Sequence, residues 1–82
     1  MANIKIYTSL GCGYCTAAKR LFSSLGATYE EISLWSNPDL ADELRTKHNW
    51  SSVPMIFIDD KFMGGYEDIA ALHKQGLLQP LL

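Results

Sequence analysis

The sequence predicts a small α/β fold, a four-stranded mixed sheet flanked by helices in the order β-α-β-α-β-β-α. Three observations predict it. Residues 3–8 (NIKIYT) are β-branched and aromatic, as a short buried strand is. From Tyr14 onward the apolar residues Tyr14, Ala17, Ala18, Leu21, Phe22 and Leu25 recur at spacings of three and four, which is one face of a helix. Further on, an apolar run at 55–58 meets Lys61-Phe62-Met63 across Asp59-Asp60, the pattern of a tight hairpin. Two strands joined by a helix, with a hairpin later, build a sheet of mixed direction with helices packed against it.

Each element has its own start and stop signals. Gly26 stands where the first helix needs a residue of left-handed backbone at its end. Residues 27–34 read as the second strand, although Glu30 and Glu31 interrupt its alternation. Asn37-Pro38-Asp39 opens the second helix, with Asn as N-cap, Pro at the first helical position and an acid in the first turn. In that helix Leu40 and Leu44 should face inward, and Glu43 and Lys47 are spaced to pair at i,i+4. Gly64-Gly65 ends the hairpin. The last helix then carries Glu67 and Asp68 in its first turn, runs through Ile69, Ala70, Leu72 and His73, and stops at Gly76.

Composition narrows the function. The chain has 82 residues without repeats, low-complexity segments or a linker, so residues 1–82 are expected to form one domain. It is 48% hydrophobic and 20% charged, ordinary for a globular protein. The formal net charge is −2 and the seven Lys and Arg are scattered, so neither nucleic acid nor an anionic membrane is an expected partner. No run approaches the roughly 18 apolar residues that cross a bilayer. The first residues lack a basic segment followed by a long apolar run, so a signal peptide is not expected and the cytoplasm is the expected location.

Against that background the two cysteines stand out, both in Leu10-Gly11-Cys12-Gly13-Tyr14-Cys15. Cys12 falls where the first strand gives way to the first helix, and Cys15 one turn inside that helix. Unpaired N–H groups and the positive end of the helix dipole favour a thiolate at Cys12, below the free thiol value of about 8.5. Cys15 lies on the same face within disulfide reach, so the pair supplies an attacking and a resolving sulfur. Other readings stand beside this one. A structural disulfide closing so short a loop gains little and is rare in the cytosol. A zinc site has only His48 and His73 to add, at spacings unlike common fingers. Two inert core cysteines are the third possibility.

Two further stretches carry chemistry. In Ser52-Val53-Pro54-Met55, a cis Val53–Pro54 bond would present the Val53 backbone as a short edge for an extended peptide, whereas a trans proline would merely open the strand. In Gly64-Gly65-Tyr66-Glu67-Asp68, the helix start offers free N–H groups to a carboxylate and Asp68 offers itself to an ammonium group. The alternative is a hairpin exit whose acids only complement the helix dipole.

Together, Cys12-Gly13-Tyr14-Cys15, Ser52-Val53-Pro54 and Gly64-Gly65-Tyr66-Glu67-Asp68 resemble the short bacterial dithiol glutaredoxins over nearly the whole chain. The resemblance implies a thioredoxin-like fold, a cis Pro54 and a glutathione groove. It makes Cys12 the nucleophile and Cys15 the resolving thiol. Tyr14, Val53, Pro54, Tyr66, Glu67 and Asp68 become glutathione-binding residues, with Val53 pairing its backbone to the cysteinyl part and Glu67 and Asp68 holding the γ-glutamyl end. Two departures appear: Gly13 stands where the family often has Pro, and Ser9 where it often has Lys. The missing cation should weaken glutathione binding and thiolate stabilisation, with Arg45 or Lys47 as candidate replacements. Trp50 is a candidate wall of the groove, with core packing as the alternative; Trp35 has no assignment.

The implied activity is that of a glutathione-dependent thiol-disulfide oxidoreductase. It acts on protein–glutathione mixed disulfides and protein disulfides, as a monomer with no covalently bound cofactor and no resident metal. Two rival activities are implied by the same resemblance. One is a homodimer holding a [2Fe–2S] cluster with Cys12 as a ligand and glutathione supplying further thiolates. The other is a dedicated electron donor to one reductase.

Overall fold

The computed structural model describes residues 2–82; Met1, the first residue of the expected domain, lies outside them. Strands β1 (Ile4–Thr8), β2 (Glu30–Ser33), β3 (Met55–Ile58) and β4 (Lys61–Gly64) form one sheet, ordered β2-β1-β3-β4. β1 runs parallel to β2 and antiparallel to β3, and β4 is antiparallel to β3. Helices α1 (Gly13–Ser24), α2 (Pro38–His48) and α3 (Tyr66–Lys74) follow the expected order, with a final 3₁₀ turn at Gln79–Leu81.

Strand alternation divides the core into two layers. Ile4 and Ile6 of β1 and Ile56 and Ile58 of β3 pack with Ala18 and Phe22 of α1 and Ile69 of α3. On the opposite face Met55 and Phe57 meet Leu34 and Ala41 and Leu44 of α2. An aromatic group extends this second layer: Phe57 lies 5.4 Å from Tyr7 and 5.2 Å from both His48 and Phe62, and Trp50 lies 5.3 Å from Phe62. The α1–α3 layer also takes in Leu78, which is fully buried although it follows the last α-helix.

Several local expectations need correction. β2 is shorter than residues 27–34 because Ala27 is used to close α1: its N–H donates to the Phe22 carbonyl at 3.0 Å and that of Gly26 to Ser23 at 3.1 Å. This closure needs left-handed backbone at Gly26, whose φ is 72°. The same pair of bonds ends α3 around Gly76. Tyr14 belongs to the outer face of α1, 58% exposed; Cys15, Ala18 and Phe22 form the buried line instead. Asn37 takes the N-cap position of α2 without a side-chain cap bond, since its amide donates to the Ser33 carbonyl at 2.8 Å. Among the described residues Glu43 and Lys47 form no ion pair, while Asp42 and Arg45 approach to 4.0 Å. The Asp59-Asp60 turn is as expected, with φ of 51° and 66°, as a type I′ hairpin requires.

Candidate functional site

The site gathers where three chain segments meet at one end of the sheet. The first is the start of α1. Cys12 is the N-cap residue, with extended backbone, and its Sγ accepts the Cys15 N–H at 3.0 Å. A sulfur thus takes the role that a Ser or Asp oxygen usually fills, answering one of the four N–H groups a helix start leaves unpaired. The two cysteines form a disulfide, with their Cα atoms 5.2 Å apart. Cys15 is only 3% exposed, whereas Cys12 is half-buried. Cys12 is therefore the sulfur that an incoming molecule reaches first.

The second segment is the loop before β3. Its Val53–Pro54 bond is cis, and the Val53 carbonyl oxygen lies 3.7 Å from Cys12 Sγ. Pro54 is buried and Val53 half-buried. Among the described residues the Val53 N–H has no hydrogen-bond partner, which leaves it available to an extended chain laid beside the loop.

The third segment is the start of α3. The Asp68 carboxylate accepts the Gly65 N–H at 2.9 Å, folding the side chain back over the helix end. Gly64 permits this: its φ is 98°, and a Cβ there would meet the Asp68 carboxylate, 2.7 Å from its Cγ. Only glycine accommodates both the backbone and the close approach. The second Asp68 oxygen has no partner among the described residues.

Between these segments lies an open groove of about 410 Å³. Tyr14 and Tyr66 stack beside it, ring centres 6.1 Å apart. Val53 and Pro54 line it from the loop, and Glu67 and Asp68 from α3. The six residues expected to bind glutathione are thus brought together, and Cys12 stands against this groove through Val53. Trp50, Ser52 and Gly65 complete the lining. Trp50 takes both roles considered for it, facing the groove and packing on Phe62, and its buried Nε1–H has no partner among the described residues. Gly65 and Ser52 were not singled out as ligands; a backbone that lines a groove leaves no signal in residue type. Trp35 lies elsewhere, 67% exposed, beside a separate cavity that it shares with Ser9 and Arg45.

On the other side of the cysteines is a second cavity, of about 400 Å³, lined by Ser9, Cys12, Cys15, Lys19 and Glu31 among others. The Thr8 hydroxyl donates to Glu31 at 2.9 Å, and the Lys19 ammonium reaches both Glu31 oxygens at 3.2 and 3.3 Å. The Thr8 hydrogen bond, then the Lys19 hydrogen bond, hold Glu31 below its ordinary carboxylate value against a smaller opposing effect of burial, and the Lys19 charge adds the least. Lys19 drew no attention in the sequence because its spacing from the cysteines matters only once the helix is placed.

Other readings lose ground. The His48 ring packs against Phe57 and Phe62, and no group of three or more His, Cys, Asp or Glu among the described residues is arranged to hold a metal ion, so the zinc reading lacks a donor set. No helix among the described residues is long and apolar enough to cross a membrane.

Comparison with known proteins agrees with this geometry. The glutaredoxin family model matches residues 4–63. Glutaredoxin 3 of Escherichia coli strain K12 is 42% identical over 82 residues, which is 100% of this chain and 99% of that protein. A glutaredoxin of Pseudomonas aeruginosa is 38% identical over 82 residues, 100% of this chain and 98% of its own. A buckwheat glutaredoxin–glutathione complex superposes with a TM-score of 0.92 at 31% identity, covering 99% of this chain and 76% of that one. The Brucella melitensis glutaredoxin superposes at 0.89 with 38% identity, covering 100% and 89%.

Proposed function

The chain belongs to the glutaredoxin family and is a thiol-disulfide oxidoreductase with a thioredoxin-like fold, and from that premise we propose that glutathione is its cosubstrate and protein–glutathione mixed disulfides its main substrates. One observation carries the proposal: the accessible sulfur of the pair caps a helix and stands beside the groove at Val53. The glutathione bound by the buckwheat relative supports the same reading.

In this account the Cys12 thiolate attacks the glutathione sulfur of a mixed disulfide. A Cys12–glutathione disulfide forms, the old S–S bond breaks, and the target thiolate leaves and takes a proton. The thiolate of a second glutathione then attacks the same sulfur of bound glutathione, releasing glutathione disulfide and restoring the Cys12 thiolate. On protein disulfides Cys12 first forms a mixed disulfide with the target, releasing one target thiolate. Cys15 then attacks the Cys12 sulfur, and the internal disulfide closes as the second target thiolate leaves. Two glutathiones in turn reduce it to the two thiols, releasing glutathione disulfide. Val53 pairs its free N–H with the cysteinyl part of glutathione, and Tyr14, Tyr66 and Pro54 flank it. The γ-glutamyl end carries a carboxylate and an ammonium group. The amides at the start of α3 hold the first, and Asp68, with Glu67 beside it, holds the second. Residues 1–82 act as one domain and a monomer, in the cytoplasm, where a reducing glutathione pool supplies electrons.

The cluster-binding alternative needs a homodimer in which Cys12 of each chain and two glutathione thiolates hold the cluster, and one accessible sulfur per chain fits that ligation too. A colourless monomer after anaerobic purification is the outcome that the oxidoreductase reading expects, and a brown dimer the one that favours the alternative. Mass spectrometry tests the proposal: a Cys15→Ser chain mixed with glutathione disulfide should gain one glutathionyl group, on Cys12. A chain that stays unmodified overturns it.

A further inference from the structure

The groove accounts for one side of Cys12 and leaves the other side unexplained. There, the second cavity carries two charged residues, Lys19 and Glu31, in the wall that also contains Cys12 and Cys15. Lys19 follows Cys12 by seven positions and Cys15 by four, so the three share one face of α1. Two helical turns span about 10 Å, and helical side chains lean toward the N-terminus, so the ammonium group is directed along α1 toward Cys12. It does not reach the sulfur freely, because both oxygens of Glu31 hold it.

Glu31 is itself fixed from behind. Thr8 is 4% exposed, and its hydroxyl donates to Glu31 at 2.9 Å. The hydroxyl ties the carboxylate to β1, and the carboxylate ties the ammonium group to β2. A pair that served only surface stability would contribute little and would need no buried hydroxyl to orient it.

We infer that the Lys19–Glu31 pair is a charge balance that sets the acidity of the Cys12 thiol, with Lys19 the stabilising charge and Glu31, anchored by Thr8, the positioning residue that restrains and offsets it. The inference rests on Cys12 being the attacking thiol. In this chain position 9 is Ser, so Lys19 is the cation lining the cavity with Cys12. The other charged or titratable groups around Cys12 sit on different walls. Tyr14 of α1 and Glu67 and Asp68 of α3 face the groove, and Arg45 of α2 lies beyond Ser9. None of them is bonded to Lys19 or Glu31 among the described residues.

The test is the pH profile of Cys12 alkylation by iodoacetamide in the fully reduced chain, with the modified site identified by mass spectrometry. It requires neither glutathione nor turnover, so its failure is distinct from failure of the proposed activity. Glu31→Gln should uncover the ammonium charge and raise the thiolate fraction below the pKa about two- to fivefold at low salt, as a unit charge some 10 Å away does. Raising the salt should shrink that gain. Lys19→Gln should lower the fraction by a similar factor, Lys19→Arg should match the parent chain, and the Glu31→Gln, Lys19→Gln double variant should return close to it. Circular dichroism on each chain confirms that it is folded. A folded Glu31→Gln chain whose Cys12 pKa is unmoved or raised overturns the inference, as does a double variant that fails to return toward the parent.

Discussion

Asp68→Ala should damage both the fold and glutathione recognition, and the structure separates the two effects. One carboxylate oxygen accepts the Gly65 N–H at 2.9 Å and caps α3; the other is free toward the groove. Losing the cap should cost about 1 kcal/mol, which in a domain of this size lowers the melting temperature by about 4–8 °C. Losing the charged contact to the ammonium group should cost about 1.5–3 kcal/mol, or roughly tenfold to a hundredfold in affinity. That contact lies away from the reacting sulfur, so KM for a glutathionylated peptide should rise while kcat changes little. Asp68→Asn keeps an oxygen for Gly65 and loses the charge, so it should melt close to the parent and still show the raised KM. Gly64→Ala should raise KM without touching Asp68, because the added Cβ displaces the carboxylate. Steady-state kinetics and thermal melts on the three variants decide the matter. An unchanged KM in Asp68→Ala removes Asp68 from the site, and a fall in kcat at constant KM refutes the view that this contact is uniform binding.

Other expectations concern stability. Gly13→Pro should raise the melting temperature by about 2–8 °C: Gly13 is the first residue of α1, nothing among the described residues lies within 4 Å of a Cβ built on it, and Cys12 before it already has φ −98° and ψ 104°. A lowered melting temperature would show that the Gly13 N–H has a partner that proline removes. Leu78→Ala should cost about 2–5 kcal/mol by urea denaturation, since the side chain is fully buried against the α1–α3 layer; a loss under about 1 kcal/mol would mean that the tail is not part of the core. Glu31 is held below its ordinary value of 4.5, so it adds stability above that pH which is lost as pH falls through the lowered value. The stability advantage of the parent over Glu31→Gln should therefore shrink in acid, and parallel curves down to about pH 3 would contradict this.

The sequence was most legible where local rules act alone. Gly26, the Asp59-Asp60 turn and the Cys12 helix start were readable because backbone conformation and capping depend on a few neighbours. Tyr14 was misread because periodicity marks an apolar face without showing whether a second ring, here Tyr66, stacks on it outside. Residues 27–34 were read as too long a strand because Ala27 was committed to helix closure. Leu78 and the Thr8–Glu31–Lys19 group escaped notice for a common reason. Each gains its role from partners distant in the chain. The groove itself was found only through the three motifs as a set, since none alone separates a ligand site from an ordinary turn.

Turnover of a glutathionylated peptide, with glutathione and its NADPH-dependent reductase present, tests the division of labour between the two sulfurs most directly. The parent, Cys12→Ser and Cys15→Ser chains are compared under the same conditions. Cys12→Ser should be inactive, because the accessible sulfur at the helix start is gone. Cys15→Ser should keep a substantial part of the parent rate, because a second glutathione releases the first without a resolving thiol. Comparable loss in both variants, or activity surviving in Cys12→Ser, would contradict the account.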